Sequence, residues 1–191
     1  TTHRGLWEKK KMKGNELKGK KIGILGFGNV GKRVAEISYA LGMKVSIYSS
    51  YFNSIKDDFK NYDSSDLMNI LSNSDIISFH CKPNKDGSSI ITKDEFKIMK
   101  KNCILVNTAR GGLINEIDLI QALKNKTIKG AALDVFIKEP LENSRLFNLD
   151  NIILTPHIAA STDEAQIVVA EMVANQFCEY FKNNNVVNSI T

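Results

Sequence analysis

The sequence predicts an α/β fold, a single domain built on a doubly wound parallel sheet, and three observations carry that prediction. Short apolar runs alternate with segments of helical periodicity along nearly all of the 191 residues. A glycine-rich turn, Gly26-Phe27-Gly28-Asn29-Val30-Gly31, stands between the first apolar run and the first helical segment. Each of the three prolines, Pro83, Pro140 and Pro156, falls just past a predicted strand's C-terminal end, where no ladder hydrogen bond is needed.

Taken in order, Lys21 to Leu25 reads as a buried parallel strand. Val30 to Leu41 places Val30, Val34, Ile37 and Leu41 on one helical face, and Gly42 ends that helix. Lys44 to Tyr48 is a second strand, Asp66 to Leu71 a helix, and Asp75 to His80 a third strand. Thr92 is suited to cap a helix from Lys93 to Lys100, before a strand at Cys103 to Val106. Asn115 is suited to cap Glu116 to Leu123. Ile128 to Val135 and Asn151 to Leu154 supply the fifth and sixth strands, and a long helix follows from Ser161 to Phe181.

Composition narrows the function class. The chain is 42% hydrophobic and 25% charged, ordinary for a globular domain. No apolar run approaches the ~20 residues that span a membrane, and the N-terminal stretch has no signal-type apolar core. Cys81, Cys103 and Cys178 show no CxxC spacing, which suits reduced, mostly buried thiols of a cytoplasmic protein. The net charge of +5 is local. Residues 1–21 hold eight Lys and Arg against Glu8 and Glu16, so the other 170 residues sum to −1. A nucleic-acid partner would spread that charge over the folded body, so none is expected.

A lone GxGxxG is weak evidence, but here a strand precedes it, a helix follows it, and a second strand comes about 20 residues on. That is the context of a Rossmann-type dinucleotide turn. Gly26 permits the tight turn, Gly28 lets the backbone approach a pyrophosphate, and Gly31 lets helix pack on strand. The amides of Asn29 and Val30 would face phosphate oxygens at a helix N-terminus. One expected element is missing. The second strand should end in a carboxylate for the adenosine ribose, yet it runs Tyr48-Ser49-Ser50-Tyr51, with none until Asp57. Ser49 suits a hydroxyl or a 2′-phosphate, so the cofactor is NAD with NADP still open.

Three polar clusters follow three successive strands: Asn107 to Gly112, Asp134 to Pro140, and Thr155 to Ala160. They bring an arginine, a glutamate and a histidine to the cofactor edge of one sheet. With these clusters the sequence resembles the D-2-hydroxyacid dehydrogenase family. The matching stretches are His3-Arg4-Gly5-Leu6-Trp7, Leu17 to Lys20, Gly26 to Gly31, Val106 to Gly112, Ala131 to Pro140 and Thr155 to Gln166. The run Ala160-Ser161-Thr162-Asp163-Glu164-Ala165-Gln166 tilts the resemblance toward the family's phosphoglycerate dehydrogenase branch, which works in serine biosynthesis.

The resemblance implies roles. His157 is the proton acceptor and donor, Glu139 its partner, and Arg110 the group that binds the substrate carboxylate. Asp134 would touch the nicotinamide carboxamide, and Thr108, Ala109, Cys81, Ala159 and Ala160 would line the cofactor along with Arg110 and His157. His80 is read as structural or as part of the cofactor loop, His3 as exposed, and no residues have metal-ligand spacing.

It also implies an organisation. Residues 1–18 would be a linker helix from a substrate domain that this chain lacks, 19–160 the dinucleotide-binding domain, and 161–191 the C-terminal helix and return segment. Such a piece is expected to bind cofactor but turn over little by itself. A symmetric homodimer is implied, with the N-terminal helix and Leu141 to Leu149, including Leu146 and Phe147, as contact candidates. Glyoxylate or hydroxypyruvate reduction is the alternative activity. A cofactor-sensing corepressor or binding module is the alternative of another class.

Overall fold

The computed structural model describes residues 2–188. In chain order its elements are β1 (Lys21–Leu25), α1 (Asn29–Ala40), β2 (Lys44–Tyr48), α2 (Phe52–Ile55), β3 (Asp63–Ser64), α3 (Leu67–Asn73) and β4 (Ile76–Phe79). There follow α4 (Lys93–Ile98), β5 (Ile104–Asn107), α5 (Glu116–Lys124), β6 (Gly130–Leu133), β7 (Ile152–Leu154) and α6 (Asp163–Asn183). Every strand pairing is parallel, and the sheet order is β3-β2-β1-β4-β5-β6-β7. The chain winds outward from β1 to β3, then returns to β4 on β1's other side. The reversal lies between β1 and β4, the place where open sheets bind ligands.

Register lines up one edge. Tyr48, Leu25, Phe79, Asn107, Leu133 and Leu154 are successive cross-strand partners. The loops leaving those six residues therefore emerge side by side, with neighbouring strands about 4.8 Å apart.

Two apolar cores cover the sheet. One gathers Phe79, Leu105, Leu113, Leu119 and Leu133 with α3, α4 and α5. The other packs Ile24, Val45 and Ile47 against an aromatic nest of Phe27, Phe52 and Tyr62, with Phe59 at its margin. Phe27, between the first two glycines of the turn, lies edge-on to Phe52 and Phe59 at centroid distances of 4.7 and 5.1 Å. The turn is thereby anchored to the core by its own side chain.

The caps are placed as the sequence predicts. Thr92 and Glu95 form a capping box on α4. Asn115 caps α5 by accepting from Asp118 N, and Gly42 closes α1 with φ +78°.

Five expectations are corrected. A seventh strand, β3, adds an edge to the expected six; its two polar residues carry no periodicity to detect. Of the apolar stripe of α1 only Val34 packs against the core: Val30, Ile37 and Leu41 are half or more exposed, while Gly31, Ala35 and Ser38 are buried. Small residues face inward because the helix lies so close to the sheet. A Cβ on Gly31 would stand 2.2 Å from Gly26 O. The stretch expected to form one helix over residues 1–18 instead makes two 3-10 turns, Thr2–Arg4 and Lys9–Lys11, without a buried residue. Its consecutive lysines repel one another and offer no apolar face. Leu146, a candidate dimer contact, is fully buried in its own core, whereas Phe147 is exposed.

Of the thiols, Cys103 is in the core, Cys81 half-buried and Cys178 exposed on α6, so they are not mostly buried. Among the described residues no helix is long and apolar enough to cross a membrane. Residues 189–191, the end of the expected return segment, lie outside the described chain.

Candidate functional site

The glycine turn is shaped by three separate constraints. Gly26 has φ +99°, and a Cβ there would lie 2.3 Å from His80 O. Gly31 is confined by Gly26 O. Gly28 differs from both. Its backbone is in the extended region (φ −82°, ψ −165°), and no protein atom lies within 4 Å of where a Cβ would be. The protein itself does not require glycine at 28; the open space does, if a ligand's backbone-hugging phosphates are to enter it. The first backbone bond of α1 runs from Lys32 N to Gly28 O at 2.9 Å. The amides of Asn29 and Val30 consequently have no intrahelical acceptor and face the same opening. A dinucleotide's pyrophosphate fits this cradle.

Beyond the turn, a recess of about 270 Å³ is bordered by Val30, His80, Cys81, Thr108, Ala109 and Arg110. His80 Nε2 pairs with Ser78 Oγ at 2.8 Å, and burial lowers its pKa. Among the described residues no carboxylate bonds to this ring. Burial raises the Cys81 pKa, which keeps the thiol protonated. His3 is exposed in the first 3-10 turn.

The Arg110 loop is held by Asn107, a role the sequence pattern did not reveal. Asn107 is buried at the end of β5; its Oδ1 accepts from Ala109 N, and its Nδ2 donates to Arg110 O at 2.9 Å. Arg110 itself is exposed. One Nη1 donates to Ala109 O, and no carboxylate among the described residues pairs with its guanidinium. Gly111 lets this loop touch the next one, since a Cβ there would fall 1.9 Å from Phe136 O.

Glu139 and His157 come together directly. Glu139 Oε2 lies 2.7 Å from His157 Nδ1, and Glu139 Oε1 accepts from Phe136 N at 2.9 Å. The bond with His157, then that from Phe136, lowers the Glu139 pKa. An ionised carboxylate only accepts, so Nδ1 carries a proton, and in the neutral form of the ring Nε2 is the nitrogen with the lone pair. His157 has φ +54°, a left-handed backbone that side chains other than glycine adopt rarely.

What holds that turn is Asp134. Buried at 3% exposure, it accepts from Thr155 Oγ1 (2.5 Å) and Ile158 N (2.9 Å) on Oδ1, and from Ala159 N (2.9 Å) on Oδ2. Burial pushes its pKa up, but these bonds outweigh burial and lower it overall. The structure therefore places Asp134 behind the His157 turn, bonded to it through both oxygens. Ala159 and Ala160 are exposed just beyond. Ser49 is half-buried at the end of β2, in a separate pocket on the far side of the glycine turn. Among the described residues no cluster of His, Cys, Asp and Glu suits a metal ion.

Known proteins match this arrangement. A family model described as "D-isomer specific 2-hydroxyacid dehydrogenase, NAD binding domain" matches residues 1–159. A D-3-phosphoglycerate dehydrogenase of Methanocaldococcus jannaschii is 39% identical over 189 residues, covering 97% of this chain and 36% of the relative. A glyoxylate reductase of Thermococcus litoralis is 39% identical over 185 residues, 95% of this chain and 56% of that protein. Among solved structures, an acyclic imino acid reductase in complex with NADPH and D-Arg superposes with a TM-score of 0.89 at 32% identity, covering all of this chain and 60% of that one. The chain thus spans between about a third and three fifths of the proteins it resembles.

Proposed function

This chain belongs to the D-isomer specific 2-hydroxyacid dehydrogenase family through its NAD-binding domain, and we propose that the protein carrying it interconverts a D-2-hydroxy acid and its 2-keto acid. The substrate proposed is 3-phosphoglycerate, in serine biosynthesis, because phosphoglycerate dehydrogenases recur among the relatives at 35–39% identity. Glyoxylate reduction is the second reading, supported by a glyoxylate reductase of equal identity. The observation that carries the chemistry is the 2.7 Å pairing of Glu139 with His157 on the same sheet edge as the Gly28 opening.

In the oxidative direction, His157 Nε2 takes the substrate's hydroxyl proton while the C2–H bond breaks and the C=O bond forms. A nicotinamide dinucleotide held across the Gly26–Gly31 turn would supply the hydride acceptor for C2, and the hydride donor in reduction. Glu139 stabilises the imidazolium that results, and Nε2 gives the proton back in the reverse step. Arg110 pairs its forked donors with the substrate carboxylate and draws electron density toward the carbonyl oxygen. Asn107 keeps the Arg110 backbone in place. Asp134 keeps His157 in its left-handed turn.

A symmetric homodimer acting in the cytoplasm on a small-molecule substrate completes the reading. Exposed Trp7 and Phe147 are its contact candidates. Steady-state kinetics of the full-length protein on a panel of 2-hydroxy and 2-keto acids tests the substrate. Highest kcat/KM for the 3-phosphoglycerate pair supports the first reading, highest for glyoxylate the second, and no turnover of any member contradicts both.

A further inference from the structure

We infer that this chain selects NAD(H) over NADP(H) through Asp66, a carboxylate brought from the β3–α3 corner to the pocket at the end of β2. The inference rests on the reading that the Gly26–Gly31 turn holds a nicotinamide dinucleotide.

Placement comes from topology. With pyrophosphate on the N-terminus of α1, the nicotinamide half must extend toward β5, β6 and β7, where Arg110 and His157 stand. The adenosine half must then extend the other way, over β2 and β3. Gly26 N donates to Tyr48 O at 2.9 Å, so the turn and the end of β2 are directly joined. A pocket of about 370 Å³ lies there, bordered by Ser49, Ser50, Asn53, Ser64, Ser65 and Asp66.

Its chemistry is one-sided. The lining offers hydroxyls, one amide and a single charge, which is negative. No lysine or arginine lines it. Lys32, on the first turn of α1, holds its ammonium over the rings of Phe27 and Phe59 instead. A ribose bearing two hydroxyls suits such a lining. A 2′-phosphate brings about two negative charges and finds no cation to pair with. Ser49 stands where a ribose-binding carboxylate is expected, and Asp66 restores that charge from the adjacent corner. Its Oδ1 accepts from Asn69 N at 2.8 Å, capping α3, while Oδ2 accepts no hydrogen bond among the described residues. Ser64 donates to Asn53 Oδ1, so the corner is already assembled.

Calorimetric titration with NAD+ and NADP+ tests this on the unmodified protein, Asp66→Asn and Asp66→Ser, with thermal unfolding of each. Asn and Ser both retain the N-cap, so α3 stays formed. The unmodified protein is expected to bind NAD+ about tenfold or more tightly than NADP+, equivalent to about 1.4 kcal/mol. Both substitutions are expected to tighten NADP+ and narrow that ratio to about threefold or less. Equal affinities in the unmodified protein, or an unchanged ratio in both variants, overturns the inference. Binding of neither dinucleotide overturns the cofactor reading itself, an outcome distinct from a wrong ranking of the two.

Discussion

Glu139 Oε2 and His157 Nδ1 lie 2.7 Å apart, although 18 residues of chain and a change of strand separate them. The carboxylate fixes the tautomer, so the free ring nitrogen is the one that can take a proton. Replacing His157 with Gln in the full-length protein should lower kcat by roughly 10²–10⁴, the usual worth of a positioned acid–base group. Glu139→Gln should also lower kcat, because one amide oxygen cannot accept from both Phe136 N and His157 Nδ1, so the ring loses its ion pair and its fixed tautomer. Both are surface positions, so unfolding temperatures should barely change. Retention of full kcat in His157→Gln would remove the histidine from the reaction.

Asp134→Asn should weaken the fold and the reaction together. An amide cannot accept from both Ile158 N and Ala159 N, so one part-buried donor loses its partner to Asp134, a loss of about 1 kcal/mol. The left-handed backbone at His157 then loses its support. Urea unfolding and kcat measured on one preparation check this: stability falls and kcat falls. Unchanged kcat in a destabilised variant would make Asp134 a purely structural group.

Part of the acid sensitivity should trace to Asp75 at the opposite edge of the sheet. Its Oδ2 accepts from Lys21 N at 2.9 Å and its Oδ1 from Lys100 Nζ at 3.0 Å. Burial pushes its pKa up, yet these two bonds and the lysine charges hold it lowered overall. A lowered folded pKa means the carboxylate stabilises the fold above its unfolded value of about 3.9, and that contribution fades as pH falls below it. Asp75→Asn should therefore cost about 1–3 kcal/mol at pH 7 and progressively less toward pH 3. Urea midpoints for both proteins across that range measure it. A difference that stays constant with pH would contradict the assignment.

Local chemistry made much of this fold legible. The helix caps at Thr92 and Asn115, the turn glycines and the C-terminal strand ends were all readable because each depends on a few neighbouring residues. So was the company of Arg110, Glu139 and His157 along one edge, since a parallel sheet places successive strand ends together. What escaped depends on tertiary approach. The inward face of α1 is its small-residue face, a consequence of how near Gly31 comes to Gly26. Asn107 looks in the sequence like an ordinary member of a polar loop, and Asp134 is expected there only as a contact to the nicotinamide carboxamide; their buried hydrogen bonds show that one holds the Arg110 backbone and the other the His157 turn. Two-residue β3 had no pattern to read, yet it brings Asp66 beside Ser49.

The Gly28 opening tests the central claim, dinucleotide binding across this turn, most directly. Gly28→Ala adds a methyl group where no protein atom stands, in a backbone conformation alanine adopts freely. The fold should be unharmed or gain about 0.4–1 kcal/mol. Gly31→Ala, by contrast, drives a methyl into Gly26 O and should cost about 1–3 kcal/mol or more. The decisive measurement is calorimetric titration of NADH into Gly28→Ala alongside its unfolding temperature. The account predicts affinity reduced at least about tenfold with the unfolding temperature unchanged or raised. Affinity equal to that of the unmodified protein would show that the cofactor does not lie across this turn.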